Sequence, residues 1–204
     1  MTRPILLYLL LSASLGALAQ GNVQTFTSAD GEYQFSYRSY FVPCSLGPSH
    51  VDWNPQDCVG GIPVCPQPQE AASTACVAYP KSRYKTYPEF EAAAFSVGEM
   101  TELKTEQQCL GVSDALSTPK KGKTTVMIHG VRFKIFEEGG SAAGSSMDGR
   151  AYHAFHDGKC YELGTRAAFI STGLEEPIKH LSKSDWKQLD ESLWQVAQSF
   201  RFLK

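Results

Sequence analysis

Basic charge is not in surplus: 19 Lys and Arg stand against 21 Asp and Glu, a formal net charge of -2. That removes the electrostatic footprint of a nucleic-acid binder, and no nucleic-acid partner is expected. Cys-x-x-Cys is absent, and with it the thioredoxin-type redox motif. Gly-x-Ser-x-Gly is absent too, so the nucleophile elbow of the α/β-hydrolases is missing. No Asn-x-Ser/Thr acceptor occurs, which excludes N-glycosylation. Beyond the first residues there is no long apolar run, so no membrane span is expected after the leader. The composition that remains, 42% hydrophobic and 20% charged, is an ordinary globular balance and excludes disorder and coiled coil.

What is present begins with an address. Arg3 precedes an apolar run from Ile5 to Leu11, and Ala17-Leu18-Ala19 offers small residues where a signal peptidase reads. The run is broken by Ser12, Ser14 and Gly16, short of the roughly 20 apolar residues of a span. Residues 1–19 therefore read as a signal peptide and 20–204 as a single globular domain, secreted or periplasmic.

Six cysteines fit that address: Cys44, Cys58, Cys65, Cys76, Cys109 and Cys160. An even count in an exported chain predicts disulfides. Zinc ligands usually come in pairs two to four residues apart, whereas the closest pair here, Cys58 and Cys65, is seven apart. The expected pairing is Cys58–Cys65, Cys44–Cys76 and Cys109–Cys160. No metal and no cofactor is expected.

Tyr33, Phe35 and Tyr37 alternate with Gln34, Ser36 and Arg38, the period-two pattern of a half-buried strand. Residues 42–85 hold seven of the eleven prolines and four of the cysteines. They read as a disulfide-stapled insertion with one short strand at 76–79. Residues 87–103 read as a helix, with Phe90, Ala94 and Val97 on one stripe. One or two strands are expected over 124–136, bent at Gly130, then a Gly/Ser/Ala-rich loop over 138–149. A hairpin over 150–170 turns at Asp157-Gly158, a strong two-residue signal. Finally, Trp186, Leu189, Leu193, Val196 and Phe200 form one apolar stripe, with Ser182 and Asp185 as its capping pattern. This order predicts an α+β fold: an antiparallel sheet of five to seven strands packed by two main helices.

The aromatic strand Gly31-Glu32-Tyr33-Gln34-Phe35-Ser36-Tyr37 and the closing Ser199-Phe200-Arg201-Phe202 resemble the PsbP-like superfamily of α/β/α sandwich domains. The resemblance covers element order over most of the chain. It implies an accessory or binding role rather than catalysis. The Pro/Cys-rich segment departs from the family pattern, and no functional residue carries across.

Candidate chemistry is sparse. His153 and His156 are three apart, so on a strand they point to opposite faces, which disfavours a shared metal. Cys160 beside His156 has the elements of a thiol nucleophile, but a bridged cysteine is inert. Glu137 and Glu138 are adjacent and diverge on a strand. The run from Gly139 to Ser146 lacks the helix and lysine of a phosphate loop. Lys120-Lys121-Gly122-Lys123 reads as a solvated turn. Trp53, Tyr79, Tyr84 and Tyr87 lie near Pro and Gly; of these, Trp53 and Tyr84 are the candidate contacts for a partner. The leading expectation is a non-catalytic exported domain binding a protein or cell-envelope component. Two alternatives stay open: a hydrolase or other enzyme whose pocket gathers at least two of His129, His153, His156 and Cys160, and a metal- or small-ligand-binding domain.

Overall fold

The structure is a computed structural model that describes residues 22–46, 58, 64–65, 75–111, 117–119, 124–142, 144–170 and 181–204. Residues 1–19, expected to be a signal peptide, Trp53 and the lysine cluster at 120–123 lie outside the described residues.

Alternating aromatics build the first strands. β1 (Val23–Thr27) pairs antiparallel with β2 (Tyr33–Arg38), whose Tyr33, Phe35 and Tyr37 are buried while the residues between them are half-buried. The chain then enters a larger antiparallel sheet. It runs through β3 (Val42–Leu46), β4 (Ala75–Tyr79) and β5 (Phe90–Glu99). After a short helix, α1 (Glu106–Gly111), come β6 (Ser117–Pro119), β7 (Thr125–Ile128), β8 (Val131–Ala142), β9 (Ser145–His156) and β10 (Lys159–Ile170). The strand order is β3-β4-β5-β10-β9-β8-β6, with β7 also on β8, eight strands in all. Helix α2 (Lys183–Ser199) leads into β11 (Arg201–Phe202), which pairs with β2 and completes a three-stranded sheet.

Among the described residues the fold is mostly antiparallel sheet with two α-helices, and the main sheet exceeds the expected five to seven strands. One of the two main helices expected is not a helix. Residues 90–99 form β5, between β4 and β10. Ala92, Ala93, Ala94, Phe95, Ser96 and Val97 are all buried. A strand covered on both faces loses the period-two polarity that marks a half-exposed one, so its alanines mimic a helical stripe. The 42–85 segment is corrected as well. The expected strand at 76–79 is β4, but the segment also opens with a strand, and Pro43 is tolerated there because β3 is an edge strand with a bulge beside it. The loop expected over 138–149 is instead the paired ends of β8 and β9.

The expected turn at Asp157-Gly158 holds, and the bulge or bend expected at Gly130 is a tight turn between two strands. His129-Gly130 joins β7 to β8 and Asp157-Gly158 joins β9 to β10, all four residues having positive φ, as a type I′ hairpin turn requires. The last helix starts at its expected cap: Ser182 Oγ accepts from the Asp185 N–H at 3.2 Å. Leu189, Leu193, Val196 and Phe200 are buried against the sheet.

The core lies between the two sheets and α2. Tyr33 stands edge-on to Tyr161, Phe35 to Phe95, and Phe133 to Phe200. The opposite face of the large sheet is different in kind. It carries Cys76, Ala78, Ala92, Ala94 and Ala168, and farther along a group of buried charges.

Candidate functional site

The charges are placed by strand register. Glu138 on β8 is opposite Gly149 on β9, and Gly149 is opposite Arg166 on β10. Likewise His153 is opposite Glu162. Arg166 is the centre. Its Nε donates to Glu138 Oε2 at 2.7 Å, its Nη2 to Glu138 Oε1 at 2.9 Å and to Glu162 Oε1 at 2.7 Å, and its Nη1 to Ser96 Oγ at 3.2 Å. Burial alone would lower the Arg166 pKa, but the two carboxylates outweigh it and hold the guanidinium charged. Burial pushes the Glu162 carboxyl up, yet Arg166 and His153 prevail and hold it at about 2. His153 Nε2 lies 3.1 Å from Glu162 Oε2, and its Nδ1 lies 3.1 Å from the Cys109 carbonyl oxygen.

That carbonyl belongs to α1. The helix is six residues long, too short to be stable alone. It is held to the sheet by the Cys109–Cys160 disulfide, by His153, and by Lys134 Nζ donating to the Leu110 carbonyl at 2.5 Å. The last carbonyls of a helix lack partners within it, and here side chains of β8 and β9 supply them. The charged group is therefore a closed structural unit, each member bonded to the next.

The histidines and cysteines of the dispersed-site expectation do not form one site. His129 is exposed in the β7–β8 turn. His153 is 2% exposed beneath α1, while His156 stacks on Phe202 from the other face. Opposite faces for His153 and His156 were legible from their spacing. Cys160 is near His153 but is bridged.

All six cysteines are paired, as expected, but the connectivity differs at two of the three bridges. The pairs are Cys44–Cys58, Cys65–Cys76 and Cys109–Cys160. The expected Cys58–Cys65 and Cys44–Cys76 bonds are replaced because β3 and β4 run side by side and each strand cysteine takes a loop partner. Tyr84 is corrected from surface contact to core. It is 5% exposed, stacked on Tyr79 and edge-on to Phe90, and its hydroxyl donates to the Asp185 carbonyl at 3.1 Å.

The open feature is a groove of about 480 Å³ between α2 and strands β8–β10. Its wall includes Trp186 and Asp190 from the helix and Asp148, Arg150, Thr165 and Ala167 from the sheet. Asp148 has Gly139 on one side and Ala167 on the other, and those small neighbours leave the space. Arg150 Nη1 donates to Asp190 Oδ1 at 2.8 Å across it. Sequence reading missed this groove. Asp148, Arg150 and Asp190 are far apart along the chain, and only the packing of α2 brings them together. None of His129, His153, His156 and Cys160 lines it, nor a smaller cavity beside β2.

No family model matches the sequence, and no curated protein matches it. Solved structures give partial similarity. A protein of Bacteroides thetaiotaomicron VPI-5482 aligns over 91% of this chain and 49% of its own, at 10% identity and a TM-score of 0.46. The chain spans about half the length of that protein. LpqN of Mycobacterium tuberculosis, described as involved in cell envelope biogenesis, aligns over 89% of this chain and 90% of its own, at 9% identity and a TM-score of 0.34. Similarity at this level assigns neither ligand nor activity.

Proposed function

We propose that the chain is an exported, non-catalytic binding domain, secreted or periplasmic, that engages a protein or cell-envelope component through the groove beside α2. Three disulfides suit an oxidising compartment. Among the described residues no helix is long and apolar enough to cross a membrane. The observation that carries the reading is a division of labour. Most of the reactive residue types are committed to structure: thiols to bridges, Glu138 and Glu162 to Arg166, and His153 to Glu162 and α1. The groove meanwhile presents Trp186 and an accessible carboxylate, Asp148. A concave cleft in which one aromatic side chain stands among charged ones offers a contact face together with polar groups that can fix a ligand's orientation.

The accessory role that the PsbP-like resemblance implies fits this reading. Its two segments pack on each other, with Tyr33 against Phe200 and the Ser36 N–H donating to Ser199 Oγ at 2.8 Å.

The test is retention of envelope extract from the producing organism on the immobilised, oxidised chain. One component is expected on the wild type and lost about tenfold or more on Trp186→Ala and on Asp148→Arg. Both variants are first shown to be folded by circular dichroism. Equal retention by all three proteins removes the groove from the reading, and turnover of a retained component removes its non-catalytic character.

A further inference from the structure

Two of the three disulfides are neighbours. The sulfurs of Cys44, Cys65 and Cys76 all lie within 4.8 Å of one another; Cys65 and Cys76 are bonded to each other, and Cys44 belongs to the other bridge. Cys58 Sγ is bonded to Cys44 Sγ, which brings the fourth sulfur beside this group. All four residues are buried, Cys76 fully, and their surroundings are apolar: Val64, Ala78, Ala92, Ala94 and Ala168.

The geometry points to a second state of this cluster: with both bridges reduced, Cys44, Cys58, Cys65 and Cys76 form a tetrathiolate site for a zinc ion. A tetrahedral zinc with Zn–S bonds of about 2.3 Å sets its sulfurs about 3.8 Å apart. Cys44 Sγ already lies within 4.8 Å of both sulfurs of the Cys65–Cys76 bridge, and side-chain rotation that parts the two bonded pairs opens the remaining separations. Buried thiolates in an apolar pocket are unfavourable without a counter-charge, and a soft divalent cation supplies it. Four protein ligands leave no open position, so the site is structural rather than catalytic. The alanines on the sheet floor give the ion room that larger side chains would fill. The wide spacing of these cysteines in sequence argued against zinc; the pairing of β3 with β4 and the two bridges bring the sulfurs together regardless.

The two states exchange by balanced chemistry. An external disulfide oxidises the loaded form. Four cysteine thiolates give up four electrons and become two bridges, two external disulfides take up those electrons with four protons and become four thiols, and the zinc ion leaves. An external dithiol or phosphine runs the protein in the other direction.

The test uses the purified chain reduced anaerobically with a phosphine, incubated with zinc, desalted and assayed for metal and folding. The expected result is one zinc retained per reduced chain, none per oxidised chain, and release on adding oxidised glutathione. Cys65→Ser and Cys76→Ser should weaken retention about tenfold or more, while the double variant Cys109→Ser, Cys160→Ser binds as the wild type does. Cobalt in place of zinc should give a tetrathiolate spectrum in the wild type and in that double variant, and not in Cys65→Ser or Cys76→Ser. The proposal fails if the reduced wild type retains no zinc, folded or not. It fails equally if the Cys65 and Cys76 variants retain as much, or if the double variant loses the ion.

Discussion

Glu138 and Arg166 join directly across an intervening strand. Their bidentate pair, at 2.7 and 2.9 Å, spans β9 at Gly149, the residue opposite both. A Cβ at Gly149 would fall 2.5 Å from the Thr165 carbonyl oxygen and 3.1 Å from Arg166 Cγ. The first neighbour is backbone and cannot yield. Gly149→Ala should therefore destabilise the chain by about 1–3 kcal/mol, the usual range for overpacking, read as a lower melting midpoint. Gly139→Ala is the control. Its nearest new contact is Asp148 Oδ1 at an ordinary 3.6 Å, and its midpoint should be no lower than the wild type's.

Removing the cation has a larger effect than crowding it. Arg166→Met leaves Glu138 and Glu162 buried without their counter-ion, and breaking a buried pair this way costs about 3–5 kcal/mol. Adding Glu138→Gln and Glu162→Gln removes the stranded charges and should restore much of the loss. A triple variant no more stable than Arg166→Met would show that shape, not charge, sets the role of Arg166.

Acid should act through Glu162. Its folded-state pKa, about 2, lies below the ordinary 4.5. The unfolded chain therefore takes up the proton first as pH falls. The stabilisation is fully present above about pH 4.5 and is lost as pH drops toward 2. A difference of one bound proton gives a slope of about 1.4 kcal/mol per pH unit. Urea titrations between pH 5 and 2 should show that slope in the wild type and a shallower one in Glu162→Gln. Parallel slopes would place the acid sensitivity elsewhere, for instance at Glu32, whose carboxyl is held low by Lys159 and Tyr161.

Local pattern was readable wherever one side of an element meets water. β2 alternates, α2 has a single apolar stripe, and Asp157-Gly158 can scarcely be anything but a tight turn, so each was legible. Where both sides are covered, the pattern vanishes. Phe90 to Val97 look the same to a helical and a strand template, and only the neighbours β4 and β10 decide. The charged group was invisible for a related reason. Glu138, His153, Glu162 and Arg166 meet through register across three strands, and register is a property of pairing. Cysteine count was informative while connectivity was not, since spacing says nothing of which strand lies beside which.

The bridges should differ in worth. Loop-closure entropy grows with the length of chain a bridge encloses. Cys109–Cys160 spans 51 residues, against 14 for Cys44–Cys58 and 11 for Cys65–Cys76. That relation assigns about 4 kcal/mol to the first and about 3 kcal/mol to each of the others. The Cys109–Cys160 bridge also anchors α1, so its double serine variant should melt lowest of the three and expose α1 to proteolysis. Peptide mapping of the unreduced chain checks the connectivity. A Cys44–Cys76 peptide in place of the observed pairs would overturn it.

Tyr84 gives the sharpest separation of core from contact surface. Its ring is packed against Tyr79 and Phe90, and its hydroxyl reaches the first turn of α2 at Asp185. Burial pushes that hydroxyl's pKa well above the ordinary tyrosine value, with Tyr79 adding to the effect. Tyr84→Phe keeps the packing and removes one hydrogen bond, a loss of about 1 kcal/mol. Tyr84→Ala also opens a cavity under α2 and should cost about 3–5 kcal/mol. Tyr84→Phe leaves the packing beneath α2 and the groove at Trp186 in place, so retention of an envelope component by the folded Tyr84→Phe chain should equal the wild type's. A stable Tyr84→Ala chain that lost its ligand would reverse the assignment and return Tyr84 to the surface that partners touch.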